Sequence, residues 1–322
     1  MSHTDFHDLA HNFRKDQTWH KTGKQFDESL TALEWAPTGT TCAIGQLDGH
    51  IRISHISRTI DECCSLKPST SRITSVSFNE TSDLFASTAL DEKSINVFGF
   101  NSGTGQLDTK NAIRVNGTEV PRFAAFMEDV ARGQNILISG IGNGLKLYDV
   151  DSGTLFRDLM IRGGTTSLRS WQGCMMAVGV GDKSVQIWDV RVKEAVWVYR
   201  PAGTSVRPCF DIDHCNRILT VADDKGGVIA ADLACRKEIA KKKIMLKPIK
   251  VLRLSPNMRF LTSADEESLV MSNFNDPANI STHELDKTLK ITGIRWHPEE
   301  CSFLSRSTDK QLILWNYLEE KK

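Results

Sequence analysis

The sequence lacks a net charge: 40 lysines and arginines stand against 40 aspartates and glutamates in 322 residues. A balanced chain sets up no global field, so bulk charge argues for neither direct nucleic-acid binding nor attachment to an anionic membrane. It also lacks a signal peptide and any apolar run near the roughly 18 residues that a spanning helix needs. The eight cysteines, Cys42, Cys63, Cys64, Cys174, Cys209, Cys215, Cys235 and Cys301, form no Cys-x-x-Cys and no framework spacing. Several lie in apolar runs, where a free thiol packs as a small hydrophobe. These absences predict a reduced, cytoplasmic protein without a disulfide scaffold. Helical periodicity is nowhere sustained, which removes helix bundles and αβ units from consideration.

What is present is a repeat. A bulky apolar residue closes an alternating run at Trp35, Phe78, Phe126, Trp171, Ile212, Leu254 and Trp296, at spacings of 41 to 48 residues. A second marker closes the third run of each unit at Ser54, Phe98, Tyr148, Trp188, Ala231, Ser272 and Trp315, 40 to 50 residues apart. Between the markers the grammar recurs. An apolar run with small residues, such as Met176-Ala177-Val178-Gly179, leads to an Asp- or Gly-containing turn, and an alternating run follows. Period-2 alternation bounded by such turns is the hairpin signal. A period of about 40 to 45 residues with four strands per unit signals a propeller. The expected fold is all-β: a seven-bladed β-propeller of four-stranded antiparallel blades over residues 30–322, preceded by a polar tail, 1–29. A chain of this length buries roughly 75% of its unfolded surface, enough for one such fold.

The last unit, Ile291 to Trp315, holds three strand-like runs and lacks a fourth. We expect the N-terminal tail, around Phe13, to supply that strand and close the ring, because full closure removes an exposed sheet edge. Two segments between units, Arg58–Ser71 and Gly99–Pro121, read as long polar connections of the kind that carry binding loops.

Candidate chemistry reduces to architecture. Gly140-Ile-Gly142-Asn-Gly144 resembles a phosphate loop, but a nucleotide loop needs a helix directly after it, and here an alternating strand follows. Gly179-Val-Gly181-Asp182-Lys183-Ser184 has the wrong spacing for a nucleotide-binding lysine, and its Asp-Lys pair recurs at Asp224-Lys225 and Asp309-Lys310. His3, His7 and His11 have i, i+4 spacing but sit in a tail that supplies no supporting shell for a metal. Asp213-His214-Cys215 reads as a turn beside a half-buried thiol. No Gly-x-Ser-x-Gly, His-Glu-x-x-His or nucleophilic Cys/His arrangement occurs. The inner runs read as Ser, Thr and aliphatic residues. No catalytic residue, metal or cofactor is expected.

Two basic features remain. Lysines in the Asp/Lys turns, Lys93, Lys183, Lys225 and Lys310, fall on one face of the expected propeller. The run from Arg236 through Lys241, Lys242 and Lys243 reads either as a solvated outer strand or as a docking strip for an acidic partner. Each surface charge pair there contributes a few tenths to about 1 kcal/mol.

The fullest unit, Thr166–Arg191, ends Trp188-Asp189-Val190-Arg191 and so resembles the signature of WD-repeat propellers. Gly-His dipeptides, that family's other mark, are reduced to Gly49-His50, which falls in a hairpin turn. The buried Asp–His–Ser/Thr–Trp network of the family is therefore expected to be incomplete in most blades. From Phe126 onward the chain is similar to the propeller half of the nemitin family of microtubule-associated scaffolds. Ala125-Phe126-Met127-Glu128 with Ile136-Leu137-Ile138-Ser139, the Trp171 to Val192 stretch, and Arg295-Trp296-His297 with Ser302-Phe303-Leu304-Ser305 carry the match. That resemblance implies a non-enzymatic platform acting with microtubule-associated proteins or tubulin, at the cytoskeleton or cilium. The family's helical N-terminal half has no counterpart in these residues, and units Val206–Leu233 and Ile249–Phe274 have drifted from the pattern. The competing expectation is a generic WD-repeat adaptor, such as a ubiquitin-ligase substrate receptor or an RNA-processing scaffold.

Overall fold

The computed structural model describes residues 19–101, 103–115, 119–129, 134–171, 175–202, 209–212, 218–256, 259–274 and 281–317. Every regular element among them is a β-strand, and the strands form seven four-stranded sheets with antiparallel pairing, the blades of a β-propeller. His3, His7, His11, Phe13 and Asp213-His214-Cys215 lie outside the described residues.

The chain divides into two compact units. One, Glu28–Arg200, holds four blades. Blade 1 contains β2 (Leu30–Trp35), β3 (Thr41–Gln46), β4 (Ile51–Ile56) and β5 (Ile60–Leu66). Blade 2 contains β6 (Ile73–Phe78), β7 (Leu84–Ala89), β8 (Ser94–Asn101) and β9 (Gln106–Arg114). Blade 3 runs β10 (Pro121–Asp129), β11 (Gln134–Ile141), β12 (Gly144–Asp149), β13 (Leu155–Met160). Blade 4 runs β14 (Thr165–Trp171), β15 (Met175–Val180), β16 (Val185–Asp189), β17 (Trp197–Tyr199). First strands of successive blades abut, β2 with β6, β6 with β10 and β10 with β14.

The other unit, built from Met1–Asp27 and Pro201–Lys322, holds three blades. Blade 5 runs β18 (Phe210–Ile212), β19 (Ile218–Ala222), β20 (Gly227–Asp232), β21 (Lys237–Lys243), and blade 6 runs β22 (Val251–Leu254), β23 (Phe260–Ala264), β24 (Leu269–Asn273), β25 (Ser281–Asp286). Blade 7 contains β26 (Ile291–Trp296), β27 (Ser302–Ser307) and β28 (Gln311–Tyr317), and its fourth strand is β1 (Trp19–Gln25). β1 pairs antiparallel with β28 from Trp19 opposite Tyr317 to Gln25 opposite Gln311. The strand expected from the tail is therefore present, and it begins six residues beyond Phe13.

Burial explains the grammar. Second strands are sandwiched on both faces, so β3 and β7 are buried at every position and read as continuous runs of aliphatic and small residues. The core lies between blades rather than at one centre. Ile51, Ile53 and Ala43 of blade 1 pack on Phe78, Phe85 and Phe98 of blade 2, and Ile138, Leu145 and Leu147 of blade 3 pack on Met176, Val178 and Trp188 of blade 4. Outer strands face solvent, as β5 and β21 show. The two segments read as long connections, Arg58–Ser71 and Gly99–Pro121, in fact contain the outer strands β5 and β9. Exposure on the outer strand removes the apolar alternation by which a strand is recognised.

Cross-strand register also corrects one marker. In six blades the first marker pairs with a second-strand residue that in turn pairs with the third-strand marker, as Trp296 with Phe303 and Phe303 with Trp315. In blade 4 the residue opposite Met176, and so in line with Trp188, is Ser170; Trp171 pairs one step further, with Met175.

Candidate interaction surfaces

The apolar markers Trp35, Phe78, Phe126, Ile212, Leu254, Trp296, Trp188 and Trp315 are all buried between blades. Their polar atoms differ. Trp315 donates from Nε1 to Ser305 Oγ at 2.8 Å, and Trp296 donates from Nε1 to Thr262 Oγ1 of blade 6 at 3.0 Å. Register places Val178 where blade 7 has Ser305, and Trp188 Nε1 turns instead to Gln186 Oε1 at 3.1 Å. Blade 2 shows the reverse, with Ser87 in the serine position and Phe98 in place of the tryptophan. The Ser87 hydroxyl is buried without a hydrogen-bond partner among the described residues.

The turns between second and third strands carry the predicted lysines. Asp182 accepts the Ser184 amide at 3.0 Å and the Ser184 hydroxyl at 2.5 Å, an Asx turn that fixes the loop. Lys183 at φ 71 and Lys310 at φ 63 occupy the left-handed position that is filled by Gly49 (φ 88) and Gly226 (φ 79) in blades 1 and 5. Lys225 precedes that position, so Asp224-Lys225 is not the structural counterpart of Asp182-Lys183. Lys93, Lys183 and Lys225 are exposed. Lys310 is half-buried and donates from Nζ to the Asp27 carbonyl at 2.6 Å, while its own carbonyl accepts the Phe26 amide at 3.0 Å. It anchors the chain just after β1.

The glycine run of blade 3 is a hairpin turn. Ile141 pairs with Gly144 across Gly142-Asn143, and only Gly142 has positive φ, at 56°, the pattern of a type II′ turn.

Arg236 (φ 57) ends the turn into β21, which pairs Lys241, Lys242 and Lys243 opposite Ile229, Val228 and Gly227. Lys241 is engaged with buried Asp223, Nζ to Oδ2 at 3.3 Å. Burial alone would raise the Asp223 carboxyl, but the Gly227 and Lys225 amides and then Lys241 hold it below the usual carboxylate range. Further along, Lys247 meets Glu267 at 2.5 Å and Lys250 meets Glu266 at 3.7 Å. Part of the basic strip is therefore internally neutralised, while Arg236, Lys237 and Lys243 are exposed. Asp189 is likewise committed locally: it accepts both the amide and the guanidinium of Arg191, which lowers its carboxyl against the cost of burial.

The inner runs are not limited to Ser, Thr and aliphatic residues. The position before the first-marker register holds Glu34, Arg169, Asp211, Arg253 and Arg295. The three arginines adopt one arrangement, each Nη1 donating to the preceding carbonyl, of Leu168, Leu252 and Ile294, at 2.9, 2.6 and 3.0 Å. Buried Asp211 accepts the Leu254 amide of the next blade at 2.9 Å. Among the described residues no group of three or more His, Cys, Asp or Glu side chains is placed to hold a metal, and no helix is long and apolar enough to cross a membrane.

The sequence reading missed the latch around β1. Lys21 Nζ reaches Asp286 Oδ2 of blade 6 at 2.9 Å and stands 5.9 Å from the Trp315 ring centroid. Asp286 also accepts the Thr288 amide and hydroxyl at 2.7 and 2.8 Å. Burial would raise its carboxyl; these donors and Lys21 outweigh burial and hold it at about 2. Trp19 packs edge-on to Trp296 at 6.4 Å and against Phe303 at 5.6 Å. Trp19, with Lys21 and Lys24 after it, was the available signal. No protein-family model matches the chain.

Proposed function

We propose that the chain is a non-enzymatic protein-interaction platform, a WD-repeat propeller that serves microtubule organisation or cilium assembly through partner proteins. The observation that carries the platform reading is the blade architecture itself. The four-stranded sheets present Asp-capped turns and exposed basic side chains, including Lys93, Lys183 and Lys225. The Trp315–Ser305 hydrogen bond supports the WD-repeat assignment in the last blade. The microtubule setting rests on the resemblance of Arg295-Trp296-His297 and Ser302-Phe303-Leu304-Ser305 to the nemitin family.

Co-sedimentation with microtubules tests direct contact. Pelleting at low salt that declines with added salt, and declines again when the acidic tubulin tails are removed, is the expected result for contact through basic turns. Absence of pelleting at low salt removes direct tubulin binding and leaves partner-mediated attachment.

A further inference from the structure

Among the described residues Leu246 is the most exposed large hydrophobic side chain, at 90%. A lone exposed leucine is ordinary on a protein surface; the setting of this one is not. It lies in the connection from β21 to β22, and that connection is pinned on both sides. Ile244 and Met245 donate their amides to the Gly226 carbonyl at 3.0 and 2.9 Å. Met245 and Ile249 are buried with Leu252, Leu261 and Phe274. Leu246 is therefore held outward by its neighbours. Lysines flank it at Lys243, Lys247 and Lys250, all exposed. Lys247 and Lys250 are balanced by Glu267 and Glu266 of the β23–β24 turn, at 2.5 and 3.7 Å, and Asp224 offsets Lys225 in the turn that carries Gly226. Lys243 is exposed and enters no ion pair among the described residues. The same holds for Lys290, in the connection from β25 to β26 at the same end of this three-blade unit. The overall neutrality of the chain thus conceals a local positive surplus around a projecting apolar residue.

We propose that the β21–β22 connection is a membrane-contact loop, which sets Leu246 into the boundary between headgroups and acyl chains of an anionic lipid surface while Lys243 and Lys290 face the lipid phosphates. Peripheral attachment of this kind adds burial of apolar area to attraction between basic side chains and anionic lipids. Lysine suits the second role, because its stem lies along apolar surface while the ammonium stays in water. The convex shape decides the class of partner. Exposure of 90% leaves no wall beside Leu246 against which a peptide side chain could pack, whereas a lipid surface closes around a projecting residue. A nucleic acid would engage the lysines and leave the leucine in water. One leucine with a few lysines gives weak, reversible attachment rather than permanent anchoring. The inference goes beyond the platform reading and does not depend on it.

The test is flotation of the full chain with vesicles of phosphatidylcholine, with and without phosphatidylserine, at low and at physiological salt. The chain should float with the phosphatidylserine vesicles only, and less as salt rises. Leu246→Ser should weaken partitioning by at least about fivefold at unchanged melting temperature, since the side chain is not packed. Leu246→Trp should strengthen it, because tryptophan favours the membrane interface. The double variant Lys243→Glu, Lys290→Glu should weaken it and flatten its salt dependence. No flotation with phosphatidylserine vesicles at low salt would overturn the proposal, as would equal flotation with phosphatidylcholine alone. Wild-type partitioning of Leu246→Ser would also overturn it, since the lysines would then act without the leucine. Microtubule pelleting that Leu246→Ser reduces, with vesicle binding absent, would give the loop to a protein partner instead.

Discussion

Two positive-φ lysines and two positive-φ glycines occupy the same turn position in four blades, and the difference is energetic. A non-glycine residue in the left-handed region costs about 1 kcal/mol. Lys183→Gly should therefore raise stability by up to about that amount, read as a higher melting temperature. Gly226→Ala should do the opposite, by about 1 to 3 kcal/mol, because a Cβ there would lie 2.3 Å from the Met245 carbonyl oxygen at φ +79. The buried tryptophans give a second comparison. Trp315→Phe leaves the Ser305 hydroxyl buried and unpaired, a loss of about 1 to 3 kcal/mol beyond the change in packing. Chemical denaturation of Trp315→Phe with and without Ser305→Ala checks this. The double variant should recover part of the loss, and strict additivity would contradict the account. Tryptophan is visible in a sequence, but its partner is not: Ser305 and Val178 occupy one register position, and only the pairing reveals that they are equivalent.

At the scale of the strand, legibility followed burial. First, second and third strands were readable because at least one face is packed against a neighbouring blade and alternates or runs apolar. Outer strands β5, β9 and β21 are mostly solvated, so they read as connections or as a basic patch. β1 belongs to the same class, which is why its need could be inferred from an incomplete last blade while its position could not. Its contribution can be measured. Trp19→Ala should lower stability by about 2 to 3 kcal/mol, since a ring packed on Trp296 and Phe303 is lost. Lys21→Met should cost about 1 kcal/mol near neutral pH, the upper range for a partly exposed ion pair. The pH dependence has a defined sign. Asp286 sits at about 2, below its ordinary 3.8, so its contribution is complete above pH 4 and is lost as pH falls through about 2. The gap between wild type and Lys21→Met in denaturant titrations should close over that window. A gap that persists at pH 2 would show that Lys21 acts through the Trp315 ring instead.

For the whole molecule, the blade count was legible because two markers recur in phase, and each falls on a strand packed against another blade. Trp171 could pass for a marker because one residue of slip in register scarcely alters a spacing of about 40 residues. The candidate surfaces were less legible. Lys310 and Lys241 looked like members of an exposed basic face, yet one holds the Asp27 carbonyl and the other the Asp223 carboxylate. Whether a lysine is available to a partner depends on neighbours distant in sequence, which composition does not encode. The proposal that this propeller is a protein platform of the microtubule cytoskeleton can be tested by quantitative proximity labelling with the full chain in ciliated cells. Enrichment of microtubule-associated and ciliary proteins over a matched labelled control is the expected result. A reproducible set without them, dominated instead by ubiquitin-ligase or RNA-processing components, would contradict it.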